Sequence, residues 1–356
     1  MSNSDLVYVK KEELTELIKN KLMKAGLSKD DAIIVAQHLA YADSKGTHSH
    51  GAVRVEYYAE RIAKGGSNTR PNFSYRKVAP SIGIYDGDNG VGMVVALNGM
   101  HEAIKLAKET GIGIVGMRRL GHCGTLSYFL KEATKQNMIA LSMCQSDPMV
   151  VPYGGRDPYF GTNPIGFGAP RKNGSPIIID MATTVQAWGK VLDARAKNVK
   201  IPNTWAVDEK GEPTSDPFAV KGLLPIAGPK GYGLMMMVDI LCGSLLGLPF
   251  GKHVTSMYDD LSKGRDLGQI HIVINPDYFT DMNTFKENIS KMVDELHSMK
   301  PAPGFEQVKY PGENSDEVIK KYNETGIPIV KDIYDYLISD DIHYNRYNHG
   351  DAFASK

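Results

Sequence analysis

Cysteine and tryptophan are scarce in this sequence, and neither sign of charge predominates. The 356 residues include three cysteines, Cys123, Cys144 and Cys242, and two tryptophans. Three cysteines are too few for a disulfide framework, so the chain is expected in a reducing compartment, the cytoplasm. Lysine plus arginine and aspartate plus glutamate both number 41, which gives a net charge of +0. Because a neutral chain has no overall field to attract nucleic acid or an anionic membrane, neither is expected as a partner.

The sequence also lacks an apolar run suited to a membrane span. Its longest apolar stretch, from Leu234 to Phe250, is interrupted by Asp239 and Pro249. This stretch therefore predicts a buried helix, over residues 231–246. The N-terminal residues show no apolar signal core, and no internal repeat is evident. With 42% hydrophobic residues, the chain is expected to form a large core shared by two or three lobes.

Hydrophobic spacing predicts a helical beginning and then alternating strands and helices. Leu14, Ile18 and Leu22 recur at helix spacing before Gly26, and Ser28 begins a capping box for a second helix. A third helix is predicted over 49–63. Further strands are predicted at 81–85, 112–115, 139–144, 177–180 and 268–274, and further helices at 94–109, 125–136, 183–194, 283–297 and 331–338. The Gly- and Pro-rich segment 148–170 is predicted to be irregular and functional.

Three side chains of the predicted third helix suit a substrate that carries a carboxylate and a hydroxyl. His50, Arg54 and Tyr58 are spaced at i, i+4 and i+8, which places them on one stripe of a helix. Arginine can bind a carboxylate through two parallel hydrogen bonds, and histidine can exchange a proton near neutral pH. The alternative interpretation is a solvated helix face.

His122 lies in the segment Gly121-His-Cys-Gly124, between a predicted strand and a predicted helix. Flanking glycines let the backbone pass close to a ligand and present the imidazole at a strand end. The alternative is a loop histidine that only packs. A metal site built from His48, His50 and His122 is not expected, because no second ligand at helical i, i+4 spacing and no CxxC motif accompanies them.

Polar residues follow other predicted strands. Ser146 and Asp147 follow the strand at 139–144, and Asp180 ends the strand at 177–180. Strand ends are common ligand sites in α/β proteins, although Ser and Asp are also ordinary turn and helix-cap residues. Lys230 lies among glycines before an apolar helix, where it is either a phosphate contact or a plain loop residue.

One literal match to a dinucleotide fingerprint is rejected. Gly111, Gly113 and Gly116 fit the pattern GxGxxG. The fingerprint requires a strand, then a glycine turn, then a helix. Here a predicted helix precedes the glycines, and the predicted strand lies within them, so no Rossmann turn is expected.

In chain order, these motifs resemble the malate/L-lactate dehydrogenase family, whose fold is called sulfolactate dehydrogenase-like. The segments that carry the resemblance are HSHG with Arg54, GHCG, GTNP, DMAT, GPKGYG and PGE. The resemblance implies an α/β (α+β) fold with a mixed sheet, flanking helices and an N-terminal helical region. It also implies a non-Rossmann NAD(P) site and a homodimer with active sites near the subunit contact. Longer stretches such as MCQSDPMVVPYGG resemble one branch of the family and imply NAD rather than NADP, with a small 2-hydroxy acid as substrate.

The resemblance also implies roles for individual residues. His122 is predicted to accept the proton of the substrate hydroxyl, with His50 as the second candidate. Arg54, Tyr58 and Asp147 are the predicted substrate contacts. The predicted cofactor contacts are Ser146, Asp180, Met181, Ala182, Lys230, Gly312 and Glu313.

Three segments are expected. Residues 1–76 form a helical region that carries substrate-site residues, residues 77–300 form the central sheet, and residues 301–356 pack back on the N-terminal region. Three rival functions stay open on the sequence: a dehydrogenase or reductase of malate, lactate or diketogulonate, a metal-dependent hydrolase, and a non-catalytic binding protein.

Overall fold

A computed structural model describes residues 6–342 of the chain. Its α-helices are α1 (Lys11–Lys24), α2 (Lys29–Ser44), α3 (Val55–Ala63), α4 (Gly92–Thr110), α5 (Leu126–Lys135), α6 (Trp188–Lys197), α7 (Pro229–Cys242), α8 (Met282–Ser298), α9 (Glu313–Thr325) and α10 (Lys331–Ile338). Its strands are β1 (Leu6–Val9), β2 (Ser74–Ala79), β3 (Ile82–Gly90), β4 (Ile112–Leu120), β5 (Ile139–Cys144), β6 (Ile165–Ala169), β7 (Ile177–Met181), β8 (Ala206–Val207), β9 (Gly222–Leu223), β10 (Leu267–Ile274) and β11 (Ile327–Val330).

The N-terminal helices form a separate core to which the end of the described chain returns. Leu14, Ile18 and Leu22 are fully buried in α1, as their spacing predicts. Ser28 Oγ accepts the N–H of Asp31 at 3.2 Å, which confirms the predicted start of α2. Strand β1 pairs antiparallel with β11, and α10 packs on α1. The two ends of the described chain are therefore joined in one layer.

A seven-stranded mixed sheet occupies the centre, in the order β2-β3-β4-β10-β5-β6-β7. Only β3 and β4 run parallel, and each other neighbouring pair is antiparallel. Helices α4 and α5 cover one face, where Val115, Met117 and Phe129 are fully buried. Helix α7 packs on the other face through Val238 and Cys242. Helices thus cover both faces of the sheet, so a site can form at the loops that follow its strands.

The glycines of the false fingerprint lie where the rejection predicts. Gly111 ends α4 with a positive φ of 83°, while Gly113 and Gly116 are inside β4. A Cβ on Gly113 would lie 2.0 Å from the carbonyl oxygen of Ala103 in α4. Glycine at 113 therefore allows α4 to pack closely on β4, and it forms no turn at the start of a helix.

Four sequence predictions are wrong in detail. The predicted third helix is broken, because 3₁₀ turns over His48–His50 and Ala52–Arg54 precede α3. The helix predicted from 183 begins only at Trp188, since hydrogen bonds to Thr162 and Leu224 hold residues 183–185 extended. The segment predicted as irregular contains β6, which pairs with two other strands. Helix α7 is not fully buried, for Leu234 and Ile240 are 40% and 52% exposed.

Candidate active site

Two cavities adjoin the predicted site residues. We call the smaller one, of about 60 Å³, the histidine cavity, because His50 and His122 line it together with Gln145, Ser146 and Thr162. We call the larger one, of about 570 Å³, the lysine cavity. Its polar lining includes Tyr41, Lys45, Lys131, Asp180, Ser315, Asp316 and Lys320, and Gly312 also contributes. Residues from distant parts of the chain therefore meet at these two cavities.

His122 projects from a glycine-flanked loop between β4 and α5, as the sequence predicts. The backbone of this loop lies against His38 of α2, whose Nε2 accepts the N–H of Thr125 at 2.9 Å. A Cβ on Gly124, whose φ is 74°, would lie 2.4 Å from the same Nε2. Nδ1 of His122 lies 2.6 Å from Tyr58 Oη. The imidazole is thus held by a phenol on one side and by a closely packed loop on the other.

Both histidines of the smaller cavity are uncharged bases at neutral pH. Burial lowers the pKa of His122 well below its usual range, and the proximity of His50 and of the Arg54 guanidinium lowers it further. Burial likewise lowers the pKa of His50 to about 4, with Arg54 adding to the shift and Asp180 opposing it. The two rings are stacked, with centroids 5.7 Å apart. A neutral imidazole can accept a proton, as base catalysis requires.

His50, Arg54 and Tyr58 come together, although not as a single helical stripe. Only Tyr58 belongs to α3, while His50 and Arg54 belong to the two 3₁₀ turns before it. Gly51 separates those turns. Arg54 donates from Nε to the Ser49 carbonyl at 2.8 Å and from Nη1 to Tyr258 Oη at 2.8 Å. Its guanidinium is therefore fixed in orientation next to His50.

Ser146 and Asp147 are adjacent in sequence and differ in environment. Ser146 lines the histidine cavity, and its Oγ accepts the N–H of Thr162 at 2.8 Å. Asp147 is 6% exposed and is not among the residues that line either cavity. Its carboxylate accepts from Arg265 Nη2 at 2.8 Å and from the Met257 N–H at 2.7 Å. Asp147 thus anchors a buried arginine, so an effect on the substrate has to pass through its neighbours.

Asp180 forms one wall of the lysine cavity together with Lys45, a residue for which the sequence gives no signal. Asp180 Oδ2 accepts the N–H of Ser127, at the start of α5, at 2.9 Å. Lys45 Nζ lies 3.9 Å from the same oxygen and donates to Ser127 Oγ at 2.5 Å. Burial lowers the pKa of Lys45, and Asp180 opposes that shift. A buried ion pair of this kind faces a hollow large enough for a ligand.

The remaining predicted cofactor contacts are dispersed. Met181 ends β7 with 38% exposure, and half-buried Ala182 follows it. Gly312 lines the lysine cavity with a φ of 98°, and a Cβ there would lie 2.9 Å from the Ile178 carbonyl. Glu313 instead pairs with His297 Nε2 at 2.8 Å. Exposed Lys230 lies in the first turn of α7 and is not among the lining residues of either cavity.

Metal-binding clusters and membrane-spanning helices were sought within the part of the chain that the structure describes. Among residues 6–342, no group of three His, Cys, Asp or Glu side chains is arranged to hold a metal ion. Over the same residues, no helix is both long enough and apolar enough to cross a membrane. The polar side chains that line the two cavities include the imidazoles of His50 and His122 in one and Lys45 and Asp180 in the other. Tyr58, which contacts His122, and Arg54 are not among the lining residues of either cavity.

Comparison with known proteins adds sequence and structural relatives. Residues 9–338 match the family described as malate/L-lactate dehydrogenase. Ureidoglycolate dehydrogenase (NAD(+)) of Escherichia coli K12 is 55% identical, over 97% of this chain and 99% of that enzyme. Malate dehydrogenase of Pyrococcus abyssi is 38% identical over 94% of both chains.

Solved structures agree with the sequence comparison. Malate dehydrogenase of Pyrococcus horikoshii superposes with a TM-score of 0.85 at 36% identity, over 94% of each chain. Sulfolactate dehydrogenase of Methanocaldococcus jannaschii gives 0.87 at 35% identity, over 93% of this chain and 95% of that one. The mixed sheet described above is therefore the fold of these dehydrogenases.

Proposed function

Because the chain belongs to the malate/L-lactate dehydrogenase family, we propose that it oxidises (S)-ureidoglycolate to oxalurate with NAD as the hydride acceptor. The observation that carries this proposal is the 55% identity to ureidoglycolate dehydrogenase (NAD(+)) over nearly the whole of both chains. Ureidoglycolate is a 2-hydroxy acid with a ureido group on the same carbon, so it agrees with the substrate class that the sequence resemblance implies. The reaction serves allantoin and purine nitrogen catabolism.

The lysine cavity has the features that a dinucleotide needs. The buried ammonium of Lys45 supplies positive charge for phosphate, and Gly312 keeps a backbone wall where a side chain would collide with Ile178. We propose that Asp180, Met181, Ala182 and Gly312 contact the cofactor, with Ser146 at the boundary to the histidine cavity. When bound, NAD supplies the hydride-accepting carbon of its nicotinamide ring.

We propose that the histidines of the histidine cavity remove the proton of the substrate hydroxyl. For His122 to take the hydroxyl proton at Nε2, Nδ1 must carry a hydrogen and donate it to Tyr58 Oη, which lies 2.6 Å away. This tautomer gives up the longer bond, 3.4 Å, that Nδ1 accepts from the Gly124 N–H in the other tautomer. Burial raises the pKa of Tyr58 well above its usual value, so the phenol stays neutral and can accept that hydrogen bond. His50, stacked on His122, is the second group that can hold the proton.

We propose that Arg54 orients the substrate by binding its carboxylate. The Ser49 carbonyl and Tyr258 Oη hold its guanidinium, and a planar guanidinium suits a carboxylate. With the carboxylate fixed there, the hydroxyl carbon is kept near the bases, an arrangement that contributes much of the rate in such reactions. We propose that Asp147 acts on the substrate indirectly, through Arg265.

The test is NADH formation by the purified protein with allantoin-derived (S)-ureidoglycolate, beside malate and lactate at matched concentrations. The proposal expects a kcat/KM for ureidoglycolate at least about a hundredfold above the controls, since the pocket must accommodate the ureido group. NADP in place of NAD serves as the cofactor control. A preference for malate or lactate would transfer the function to the rival dehydrogenase class, for which the 38% identity to malate dehydrogenase is the supporting observation.

We propose that the working form is a cytoplasmic homodimer. Leu234, Met237 and Ile240 of α7 are 39–52% exposed, and Leu245 just beyond is 62% exposed. An apolar surface of this kind in a metabolic enzyme is typical of a subunit contact. Light scattering on the purified protein should give twice the chain mass, and Ile240→Glu should shift it toward one chain. A monomeric wild type at micromolar concentration contradicts this proposal.

A further inference from the structure

Asp43, in the last turn of α2, holds the turn that carries His50, and we infer that it is a positioning residue for this histidine. The inference rests on the proposed function, because that function places His50 next to the reacting hydroxyl. The sequence predictions assigned no role to Asp43.

The Asp43 carboxylate is almost fully enclosed and uses both oxygens on the same turn. Its residue exposure is 2%. Oδ1 lies 2.8 Å from Nδ1 of His48, and Oδ2 accepts the N–H of Ala52 at 2.6 Å. One side chain on a rigid helix therefore ties down residues on both sides of His50. Charge-assisted bonds of this length are the strong ones in proteins.

Gly51 provides independent evidence that this contact shapes the turn. A Cβ at Gly51 would lie 2.1–2.2 Å from the carboxylate atoms of Asp43. The φ of Gly51 is −100°, so the need for glycine here comes from the close approach of the carboxylate. The same contact explains why the predicted third helix breaks at this point.

The held turn presents the groups proposed to act on the substrate. Ser49 Oγ lies 3.0 Å from His50 Nδ1, and the Ser49 carbonyl accepts from Arg54. His50 in turn stacks on His122. Because these contacts form a continuous series, a shift of the turn moves the second base and the carboxylate-binding guanidinium together.

His48, which Asp43 holds, also contacts helix α9, and the start of α9 borders the lysine cavity. His48 Nε2 lies 3.3 Å from Tyr322 Oη in α9, and Gly312 at the start of α9 lines that cavity. Tyr322 itself does not line that cavity, so we expect this contact to matter little for NADH binding.

The test compares Asp43→Ala with Asp43→Asn. An asparagine carbonyl can still accept from Ala52, and its amide can donate to His48 Nδ1 in the other tautomer. We therefore expect Asp43→Asn to keep kcat/KM within about fivefold of wild type. Asp43→Ala should lose about a hundredfold, the cost of a misplacement near 1 Å, while the Kd for NADH stays within about threefold.

A double-mutant cycle with His50→Ala separates positioning from general loss of structure. If Asp43 acts through His50, Asp43→Ala should cost clearly less activity in the His50→Ala background than in the wild type, and the loss that remains measures the part that passes through Arg54. Leu22→Ala, in the fully buried N-terminal core, is the stability control and should lower Tm without changing kcat. Should Asp43→Ala fail to fold, Gly51→Ala displaces the same carboxylate and should reproduce the loss of kcat/KM.

A readout without substrate keeps this inference distinguishable from the proposed function. Ring resonances of His50, assigned by their absence in His50→Ala, should move in Asp43→Ala and stay near wild type in Asp43→Asn. Wild-type protein that oxidises malate instead of ureidoglycolate overturns the proposed function alone, and the kinetic series is then measured with malate. Unmoved His50 resonances in Asp43→Ala, or equal losses in both backgrounds of the cycle, overturn the positioning role.

Discussion

Tyr58 Oη and His122 Nδ1 are 2.6 Å apart, although 64 positions separate the two residues in the sequence. The phenol comes from α3 of the N-terminal region, and the imidazole comes from the loop that follows β4, an interior strand of the central sheet. The site therefore depends on how these two parts of the chain pack, and the bond between them can be tested directly.

Removing either partner of the hydrogen bond between Tyr58 and His122 should slow turnover, and the loss should be larger for His122 than for Tyr58. His122→Ala is expected to lower kcat by about a hundredfold or more, because acid–base assistance is of that size. Tyr58→Phe keeps the ring and should cost about tenfold, since it removes only the partner that orients the imidazole. Steady-state kinetics with an NADH titration measure both effects. His101→Ala, at an exposed position in α4, is the control, and near-normal kcat in His122→Ala transfers the role to His50.

Arg54→Lys should impair substrate use despite keeping the charge. Lysine cannot reproduce the planar fork, nor the paired bonds to the Ser49 carbonyl and Tyr258 Oη. We expect a fall in kcat/KM of about tenfold to a hundredfold, with NADH affinity unchanged. An unaltered kcat/KM would mean that the carboxylate binds elsewhere.

Lys45→Met should weaken NADH binding, because it leaves Asp180 without its cation at the wall of the lysine cavity. We expect a rise in Kd of about tenfold or more, and a smaller rise for Lys45→Arg, which keeps the charge. Fluorescence titration of NADH gives the Kd, and a thermal melt shows whether the fold survives. Tight NADH binding by a folded Lys45→Met protein counts against the proposed cofactor site.

Gly113→Ala and Lys230→Ala should have opposite effects. A Cβ on Gly113 would lie 2.0 Å from the Ala103 carbonyl, so the variant should lose about 1–3 kcal/mol of unfolding free energy through overpacking. NADH affinity should be retained in the folded fraction. We propose Lys230, exposed in the first turn of α7 and outside both cavities, as a phosphate contact of the bound dinucleotide. Lys230→Ala should therefore weaken NADH binding, and little change in Tm is expected because the side chain is exposed. The reverse pattern would restore the fingerprint that the sequence reading rejected.

Acid should destabilise the protein from just below the ordinary histidine pKa of 6.5. Burial lowers the pKa of His38 and of His271 to about 3. Between pH 6.5 and about pH 3, the unfolded chain binds protons at these two positions and the folded chain does not. The free energy of unfolding therefore decreases as the pH is lowered through this range. The slope is about 1.4 kcal/mol per pH unit for each such histidine. Denaturant melts from pH 7 to 5 measure it. His271→Leu should reduce the slope, because it removes one of the two buried histidines.

The sequence predicted the parts of the fold that follow from local periodicity. Strand β5 and helix α10 have the predicted limits, and α4 and α8 differ from prediction by a residue or two. Helix α9 was missed because its apolar stripe is short, consisting of Val318, Ile319 and Tyr322 among polar residues, and none of its residues is fully buried. Strand β11 was missed because it is short and its partner β1 lies near the other end of the described chain. Strand β6 was missed because two of its five residues are glycines, which are depleted in strands.

Some residues of the site could likewise be predicted from the local sequence, and others could not. The positions of His122, Ser146 and Asp180 at strand ends followed from the order of the elements, and the structure places them at the two cavities. The pairing of Asp147 with Arg265 spans 118 positions, and no local pattern could have indicated it. Lys45 looks like any helix-terminal lysine until packing encloses it. The three-segment division of the chain stays a prediction.

Strand β10 has a consequence for the order in which the molecule can fold. It inserts between β4 and β5 and bonds to both, yet it follows them by more than a hundred residues in the sequence. Until residue 274 leaves the ribosome, β4 and β5 each present an unsatisfied edge, and the loops that carry His122 and Ser146 have nothing to hold them side by side. Such long-range insertion folds slowly and exposes aggregation-prone surface. The nascent chain therefore depends on late closure of its sheet, and catalytic competence should arrive with that single event.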